Sequence, residues 1–339
     1  MTSPDLKVVG FSDPNDIYRA ASLIIAHDVH LPENQTVHNI HQFLIRNMRM
    51  ESKTRFYTYG RHAIAGKDVV VIVEDSPYQN PFLFIRSPPG GNDREGLEKV
   101  LVVVIAKLEE ALTKWGTFVL DASGEDTQVF AAVLEAMGVT LDKSLDVMVF
   151  YMNSKQLDKL QRVAPQMPAG YSFSEIDIDK ETQEVYDWWP VKATTTVDAL
   201  KDRIRNLPSV GIRDENGKLV AWEIMNTCVG KFNHLFTLPD HRGKGLGLAA
   251  ELRLAQICAE KGLRVFKDVV VSNRQWAVSY FSVNATVLAD YVSKVYADKK
   301  SIVEEYESDV PILRDGVVYD PQTDEWRVAV NTEGNKVQN

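Results

Sequence analysis

A run of alternating glycines between a strand pattern and a helix pattern constrains the second half of this chain most. An apolar stretch from Phe232 to Leu238 predicts a strand, and Pro239 ends it because proline cannot donate a hydrogen bond to a sheet. Gly243, Gly245 and Gly247 then precede a long apolar helix pattern. Glycine at every second position leaves the first amide groups of that helix uncovered. Together with the partial positive charge of about half a unit at a helix N-terminus, those amides predict a binding site for a diphosphate.

The spacing of the glycines distinguishes between kinds of phosphate loop. A dinucleotide fingerprint needs G-x-G-x-x-G and a Walker loop needs G-x-x-x-x-G-K-[ST], whereas this chain has G-x-G-x-G. The pattern R-x-x-G-x-G, from Arg242 to Gly247, resembles the CoA pyrophosphate loop of the GCN5-related N-acetyltransferase (GNAT) superfamily. That resemblance implies acyl-CoA or acetyl-CoA as a co-substrate. It implies that the co-substrate is held by Phe236, Thr237, Leu238, Arg242, Gly243, Lys244, Gly245, Leu246, Gly247 and Asn273.

A second motif follows the next predicted strand, Val265 to Val271. The superfamily has an N-x-x-A-x-x-x-Y pattern after this strand; Asn273 and Tyr280 keep its spacing, while Trp276 stands at the alanine position. The resemblance implies that Tyr280 is the acid for the leaving thiolate. A phenol with a pKa of about 10 suits this role, because it can hydrogen-bond the thiolate without first losing its own proton.

A longer stretch, from Glu184 to Ala285, narrows the resemblance. The segment WWPVKATTTVDALKDRIRNLPSVG, which begins at Trp188, and the segment TLPDHRGKGL, which begins at Thr237, are similar to the glycine N-acyltransferase family. The similarity implies transfer of an acyl group from acyl-CoA to the amine of glycine or another small amino acid or amine. Two alternatives stay open: a non-catalytic acyl-CoA-binding or regulatory protein, and a protein or peptide N-acetyltransferase.

The general base is where the sequence departs from that family. The family places a glutamate on the central strand eleven residues before the loop arginine, and that position is Lys231. Alternation directs His234 to the opposite strand face unless a bulge reorients it. Glu223 lies across the predicted hairpin from Lys231, and we expect these two to form an ion pair. Three hypotheses remain: the amine arrives deprotonated through a water chain, Glu223 or His234 replaces the missing glutamate, or the site binds acyl-CoA with little turnover. The candidate catalytic residues are therefore Tyr280, Glu223 and His234.

Two helices are predicted between Ser174 and Leu207. The first ends near the pair Trp188 and Trp189, and the second begins in a cap region that includes Thr196. Helices that precede the central strands cover the open end of such a sheet, so we expect these two to roof the acceptor pocket. The tryptophans are interpreted as hydrophobic filling.

The order of predicted elements occurs twice along the chain. The first half contains two strands, a loop, a long helix, a strand, a helix and a strand, and the second half repeats this order with three strands before its loop. The last helix and strand of the second half are predicted at Arg274 to Phe281 and from Thr286. The predicted fold class is α/β (α+β), with tandem GNAT-like domains that each have a mixed central sheet flanked by helices. We expect a degenerate first domain at 1–160, whose loop has Pro89 where the motif requires glycine, then a linker at 161–170, an acyltransferase domain at 171–300 and a tail at 301–339 that contains a β-hairpin.

Composition excludes several classes of partner. The 339 residues include 38 Lys and Arg against 47 Asp and Glu, with no dense basic run, so nucleic acid is not expected as a partner. The two cysteines, Cys228 and Cys258, favour a reducing compartment over a disulfide framework. No apolar run is long enough to predict a membrane span. The expected location is the cytoplasm, and the family resemblance also fits mitochondria.

Four histidines near the N-terminus, at positions 27, 30, 38 and 41, raise the question of a metal site. Neither an acidic residue nor a cysteine stands at ligand spacing, and Pro32 separates the two pairs. We therefore predict no metal site among these histidines. The acceptor that the family resemblance implies is a small-molecule amine or amino acid.

Overall fold

The structure is a computed structural model. It describes residues 7–11, 36, 38–40, 42–43, 46, 48, 50–60, 70–86, 94–189, 192, 195–226, 230–270, 276–298, 303–305, 317–320 and 325–328. The loop that contains Pro89, and Asn273 with its neighbours, lie outside the described residues, as do Cys228 and three of the four N-terminal histidines.

The first half contains six strands and four helices within the described residues. They are β1 (Lys7–Phe11), β2 (Lys53–Gly60), β3 (Val70–Asp75), β4 (Phe82–Arg86), α1 (Arg94–Lys107), α2 (Glu109–Trp115), β5 (Thr117–Ser123), α3 (Gly124–Glu135), β6 (Val139–Tyr151) and α4 (Ser154–Leu160). Residues 36, 38–40 and 42–43 are also helical.

The second half follows with the same order of strands. Its elements are β7 (Tyr171–Ser174), α5 (Thr182–Asp187), α6 (Val197–Asn206), β8 (Ser209–Asp214), β9 (Leu219–Asn226), β10 (Lys231–Thr237), a 3-10 turn (Pro239–His241), α7 (Leu246–Glu260), β11 (Phe266–Val270), β12 (Trp276–Val283) and α8 (Ala285–Asp298). Three short strands complete the described chain: β13 (Val303–Glu305), β14 (Val317–Asp320) and β15 (Glu325–Val328). The last two pair as the hairpin expected in the tail.

One mixed sheet of thirteen strands joins the two halves. Its order is β13-β1-β2-β3-β4-β5-β12-β6-β11-β10-β9-β8-β7. The first five strands of each half thus run inward from opposite edges, which confirms the predicted fold class of two related halves with a mixed sheet flanked by helices. At the centre the halves exchange a strand: β12 of the second half pairs with β5, and β6 of the first half pairs with β11.

The exchanged strand β12 corrects an expectation from the sequence. A helix was expected from Arg274 to Phe281, but residues 276–283 form a strand that is antiparallel to both of its neighbours. Aromatic and β-branched residues suit such a central position. Phe281 is fully buried, and its ring stacks on that of Phe118 with centroids 5.0 Å apart.

The segment after β12 corrects a second expectation. A strand was predicted from Thr286, whereas residues 285–298 form α8. Asn284 begins this helix, since its side-chain oxygen accepts a hydrogen bond from the amide of Val287 at 3.2 Å. Leu288 is buried, and Tyr291 and Val292 pack against the first-half core at helical spacing. The Asn284 cap and this spacing are the sequence signals that identify a helix.

Loops of the first half hold the helices that precede the central strands of the second half. Two helices, α5 and α6, occur between Ser174 and Leu207 as predicted. The hydroxyl of Thr196 caps α6 by accepting from the amide of Ala199, and it also donates to the carbonyl of Tyr78 at 2.7 Å. The first half therefore fixes the position of α6. None of the helices in the described part of the chain has the length and apolar character that crossing a bilayer requires.

Candidate active site

The parallel strands β10 and β11 separate just before the glycine loop. Their register contains a single pair, Phe232 with Lys267, although both strands continue beyond it. Backbone groups past that pair lack a partner on the neighbouring strand, so a gap opens toward the carboxyl ends of the two strands. Ligands of α/β sheets bind at such ends.

A β-bulge lies on β10 beside this gap. Asn233 pairs with Ile224 and Phe236 with Trp222, so two residues of β10 oppose one residue of β9. His234 is in the bulge and has φ of 54°, a left-handed conformation that is uncommon outside glycine. His234 therefore lies in a bulge of the kind that can reorient a side chain against the alternation expected in a regular strand.

The glycine loop has the conformations that its motif requires. Gly243 and Gly245 have φ of 74° and 81°, which L-residues with a side chain rarely adopt. Gly247 is different, because its φ is not left-handed and an added Cβ would lie 3.7 Å from the Thr237 hydroxyl, at ordinary contact distance. Two of the three glycines are therefore required by backbone conformation.

The helix α7 begins at this loop without a side-chain cap. Gly245 occupies the cap position and offers no side-chain oxygen. The amide of Ala249 donates to the Gly245 carbonyl at 3.0 Å, while the preceding amides of Leu246, Gly247 and Leu248 have no carbonyl of the helix to bond. Free amides at the positive end of a fifteen-residue helix form an anion-binding site.

Two exposed cations, Arg242 and Lys244, stand at the rim of the loop. Arg242 donates from Nε to the carbonyl of Thr237 at 3.0 Å, and its guanidinium lies 5.3 Å from the Phe236 ring centroid. Lys244 donates from Nζ to the Tyr171 hydroxyl at 2.8 Å. Both charges are therefore held close to the free amides of α7.

Aromatic rings occupy one face of β9 and β10 beneath α5 and α6. Trp222 stacks on Phe236 with centroids 5.3 Å apart, and Trp188 also stacks on Phe236, at 5.0 Å. Trp189 meets the His234 ring edge-on at 3.9 Å. We call Trp188, Trp189, Trp222, His234 and Phe236 the aromatic cluster. It joins the roof of the site to the bulge.

His234 is buried within this cluster. Burial, and next the charge of Arg203, lower the pKa of its imidazole to about 3, while a backbone group of Trp188 offsets part of the drop. Neither ring nitrogen has a hydrogen-bond partner at normal distance among the described residues. The ring is therefore neutral at physiological pH, and it can accept a hydrogen bond but is a weak base.

Glu223 lies on the opposite face of β9 from Trp222, next to α7. It is 1% exposed, and burial, with the charge of Glu251 as the next cause, raises its pKa to about 8 against an opposing effect of Lys267. The two candidate bases, Glu223 and His234, are thus on different faces of the sheet. At neutral pH Glu223 carries its proton.

Lys231 does not pair with Glu223, which corrects the ion pair expected from the hairpin. Its ammonium group bonds Asp121, on β5 of the first half, and Asp268 of β11 at 2.7 Å. Burial alone would lower the pKa of Lys231, but the two aspartates outweigh it and raise the pKa. Since β5 and β10 are four places apart in the strand order, the sheet must curl to bring these groups together.

Tyr280 lies on β12, where its backbone pairs with Val119 of β5 and Lys143 of β6. Its strand is three places from β10 in the sheet order. Sequence reasoning missed two residues that the structure brings to the site: Arg203 on α6 and Asp121 on β5. No local motif marks either of them, although an arginine on a predicted roof helix beside two tryptophans is a weak signal.

The fold and this site define an α/β protein with two related halves and a candidate anion-binding loop at the split between its central parallel strands. A family model described as FR47-like protein matches residues 209–284. This segment runs from β8 to the end of β12 and contains the bulge, the loop and α7. The similarity to this family thus lies in the second half of the chain. No curated protein gives a significant match to the chain.

Several solved structures are similar to most of the chain. A Drosophila protein has a TM-score of 0.64 at 15% identity, covering 80% of this chain and 97% of its own. A tandem GNAT protein from the clavulanic acid biosynthesis pathway has a TM-score of 0.48 at 14% identity, covering 83% of this chain and 99% of its own. A GCN5-related N-acetyltransferase from Kribbella flavida has a TM-score of 0.42 at 18% identity, covering 68% of this chain and 91% of its own. The similarity to the Drosophila protein shows a shared fold.

Proposed function

We propose that this chain is an acyl-CoA-dependent N-acyltransferase whose acceptor is the amine of glycine or another small amino acid or amine. The observation that carries the proposal is the uncapped N-terminus of α7, which follows the left-handed Gly243 and Gly245 at the split of β10 and β11. This arrangement lies within the segment that the FR47-like model matches. The low cysteine content suits the cytoplasm as the working compartment.

In this proposal the pyrophosphate of acyl-CoA binds the free amides of the loop and the first turn of α7. Arg242 and Lys244 add positive charge at its edge. The thioester then lies along the gap between the strands, beside Phe236, Thr237 and Leu238. Asn273 and Tyr280 keep their proposed roles as a co-substrate contact and as the acid for the thiolate.

The reaction is a direct transfer. The amine nitrogen bonds to the thioester carbonyl carbon, the carbon–sulfur bond breaks, one proton leaves the amine and one reaches the CoA thiolate. Glu223 and His234 remain the proposed candidates for the first proton. At pH 7 the raised pKa of Glu223 leaves its carboxyl group largely protonated, and the lowered pKa of His234 makes its imidazole a weak base; both favour an acceptor that arrives as the free amine.

A second candidate function is binding of acyl-CoA without turnover. It is favoured by Lys231, because the position that holds a glutamate in the glycine N-acyltransferases carries here a cation held by two aspartates. Such a protein would bind acyl-CoA with the same loop but release no CoA when amines are added.

Calorimetric titration with acetyl-CoA and benzoyl-CoA tests the proposal when it is paired with two substitutions at one position. Gly247→Pro removes a free amide at the second position of α7, where proline has a suitable φ and no helical hydrogen bond is lost. Gly247→Ala adds a Cβ but keeps the amide. Losing one amide bond to a charged phosphate costs about 1.5–3 kcal/mol, so the proline variant should bind roughly 10- to 150-fold more weakly and the alanine variant nearly as tightly as the parent.

Equal binding by the proline and alanine variants would contradict a phosphate site at this loop. No binding of either CoA ester at millimolar concentration would reject both candidate functions. CoA release on addition of glycine then separates the acyltransferase from the non-catalytic alternative.

A further inference from the structure

Arg203 of α6 is a buried cation whose donors are mostly unused. Its side chain is 4% exposed. Nη2 donates to the side-chain oxygen of Gln79, while Nε and Nη1 have no acceptor among the described residues. Since Nε carries one hydrogen and Nη1 carries two, three of the five N–H donors lack a partner.

The first half of the chain holds Arg203 in this position. Gln79, which lies between β3 and β4, accepts a hydrogen bond from Nη2 of Arg203 through its side-chain oxygen. The side-chain amide of Gln79 in turn donates to a carboxylate oxygen of Glu74 at 3.3 Å. Burial lowers the pKa of Arg203 to about 10, and the charges of Glu74 and Asp202 oppose that change, so the group stays charged at neutral pH. Asp202 bonds the amide of Glu51 at 2.9 Å and the side chain of Asn206 at 2.7 Å.

Arg203 also lies next to the aromatic cluster. Its guanidinium lies 5.5 Å from the Trp189 ring centroid, and Trp189 contacts His234. The indole nitrogens of Trp189 and Trp222 also lack partners in the described part of the chain. Trp188 is 40% exposed and stacks on Phe236, so the cluster reaches the protein surface at this residue.

Unsatisfied donors in such number are rare in a folded protein. A buried polar group without a partner costs about 1–3 kcal/mol, and a charged group costs more. A guanidinium fork matches a carboxylate in shape and charge better than any neutral ligand. The cluster sits on the same face as the bulge of β10, where the proposed reaction brings acceptor and thioester together.

We infer that Arg203, together with the aromatic cluster, binds the carboxylate of the acceptor and so determines the specificity of the site for a carboxylate-bearing amine. This inference rests on the proposed function, because it assigns the acceptor side of that site. Arg203 is a binding residue in this account, and Gln79 positions it.

The test compares two ligands that differ only in the charged group, N-acetylglycine and N-acetylglycinamide. Both are products or product analogues without a free amine, so their binding to the full chain needs neither acyl-CoA nor turnover. The parent protein should bind the carboxylate at least about 10-fold more tightly than the amide. Arg203→Gln should bring that ratio close to one, and Arg203→Lys should give an intermediate ratio because a point charge remains without the fork.

Arg205→Gln is the matched control, since Arg205 is the exposed arginine of the same helix. It should leave the ratio unchanged. A ratio near one in the parent protein, or binding of neither ligand at millimolar concentration, overturns the inference even if Arg203 variants fail to fold. Failure of the proposed function has a different signature: the CoA esters do not bind, whatever the ratio for the two glycine derivatives.

Discussion

Glu223 offers the most exacting test of how this site is built. Its carboxyl group is buried against α7, and burial raises its pKa to about 8 from an ordinary 4.5. The folded state therefore holds a proton at pH 7 that the unfolded state has released. We predict that Glu223→Gln, which keeps the size and removes the ionisation, stabilises the protein increasingly as the pH rises.

The sign and size follow from proton linkage. Between the unfolded and folded pKa values the native state binds more protons than the unfolded state, so the parent's free energy of unfolding falls by about 1.4 kcal/mol for each pH unit. From the ordinary pKa of 4.5 to the folded pKa of about 8 the total approaches about 4–5 kcal/mol, as an upper estimate. Below pH 4.5 both side chains are neutral, and the two proteins should differ little.

Urea unfolding of both proteins at pH 5, 6, 7, 8 and 9 measures the effect. The stability advantage of the glutamine variant should grow across the series and level off above pH 8. Glu215→Gln, in the exposed turn between β8 and β9, is the control and should give a constant difference. A constant difference for Glu223→Gln would refute the burial argument. Glu223→Gln also tests the role of this residue in catalysis. If the variant releases CoA about 10-fold or more slowly than the parent at pH 7, Glu223 is the general base.

Two further predictions concern the other buried charges. Replacing Lys231 by methionine leaves Asp121 and Asp268 buried without their cation, so the free energy of unfolding measured in urea should fall by about 3–5 kcal/mol. Adding Asp121→Asn should restore part of this loss. A loss below about 1 kcal/mol would mean that these two ion pairs contribute little to stability. The lowered pKa of His234 predicts that its imidazole stays neutral from pH 8 to pH 5, and that stability falls as the pH drops below 6.5 because only the unfolded state takes up the proton. Proton NMR of the ring, assigned with His234→Gln, checks this, and a titration midpoint near pH 6.5 would contradict it.

The parts of the fold that short-range rules encode were predictable. Gly243 and Gly245 are required by positive φ, Pro239 ends a strand, and the tail hairpin alternates around a turn. The repeated order of strands and helices likewise followed from apolar patterns within each half. In all of these cases the deciding atoms lie within a few residues of one another.

Assignments borrowed from a family pattern were less secure. The spacing of Asn273 and Tyr280 suggested a helix over residues 274–281, yet the β-branched and aromatic side chains there favour a strand, and the structure places that strand at the centre of the sheet. The helix that follows begins at Asn284, a cap that the sequence displays plainly.

The site itself was predicted in part. The sequence located the glycine loop, the helix that follows it and the two helices that precede the central strands, because each is a contiguous segment. It could not assign the partners of Lys231, since Asp121 is 110 residues away and reaches the lysine only because the halves exchange strands and the sheet curls.

The sequence by itself determined the glycine loop before α7, the repeated order of elements, and the lysine at position 231 where the similar family has a glutamate. The tertiary structure alone decided which strands are neighbours across the two halves, which face of the sheet Glu223 and His234 occupy, and that Gln79 from the first half holds Arg203 beside the second-half site. The physical reason is the separation along the sequence between the residues that interact. Backbone conformation and caps depend on adjacent residues, whereas the pairing of similar apolar strands and the partner of a buried charge depend on packing between distant segments.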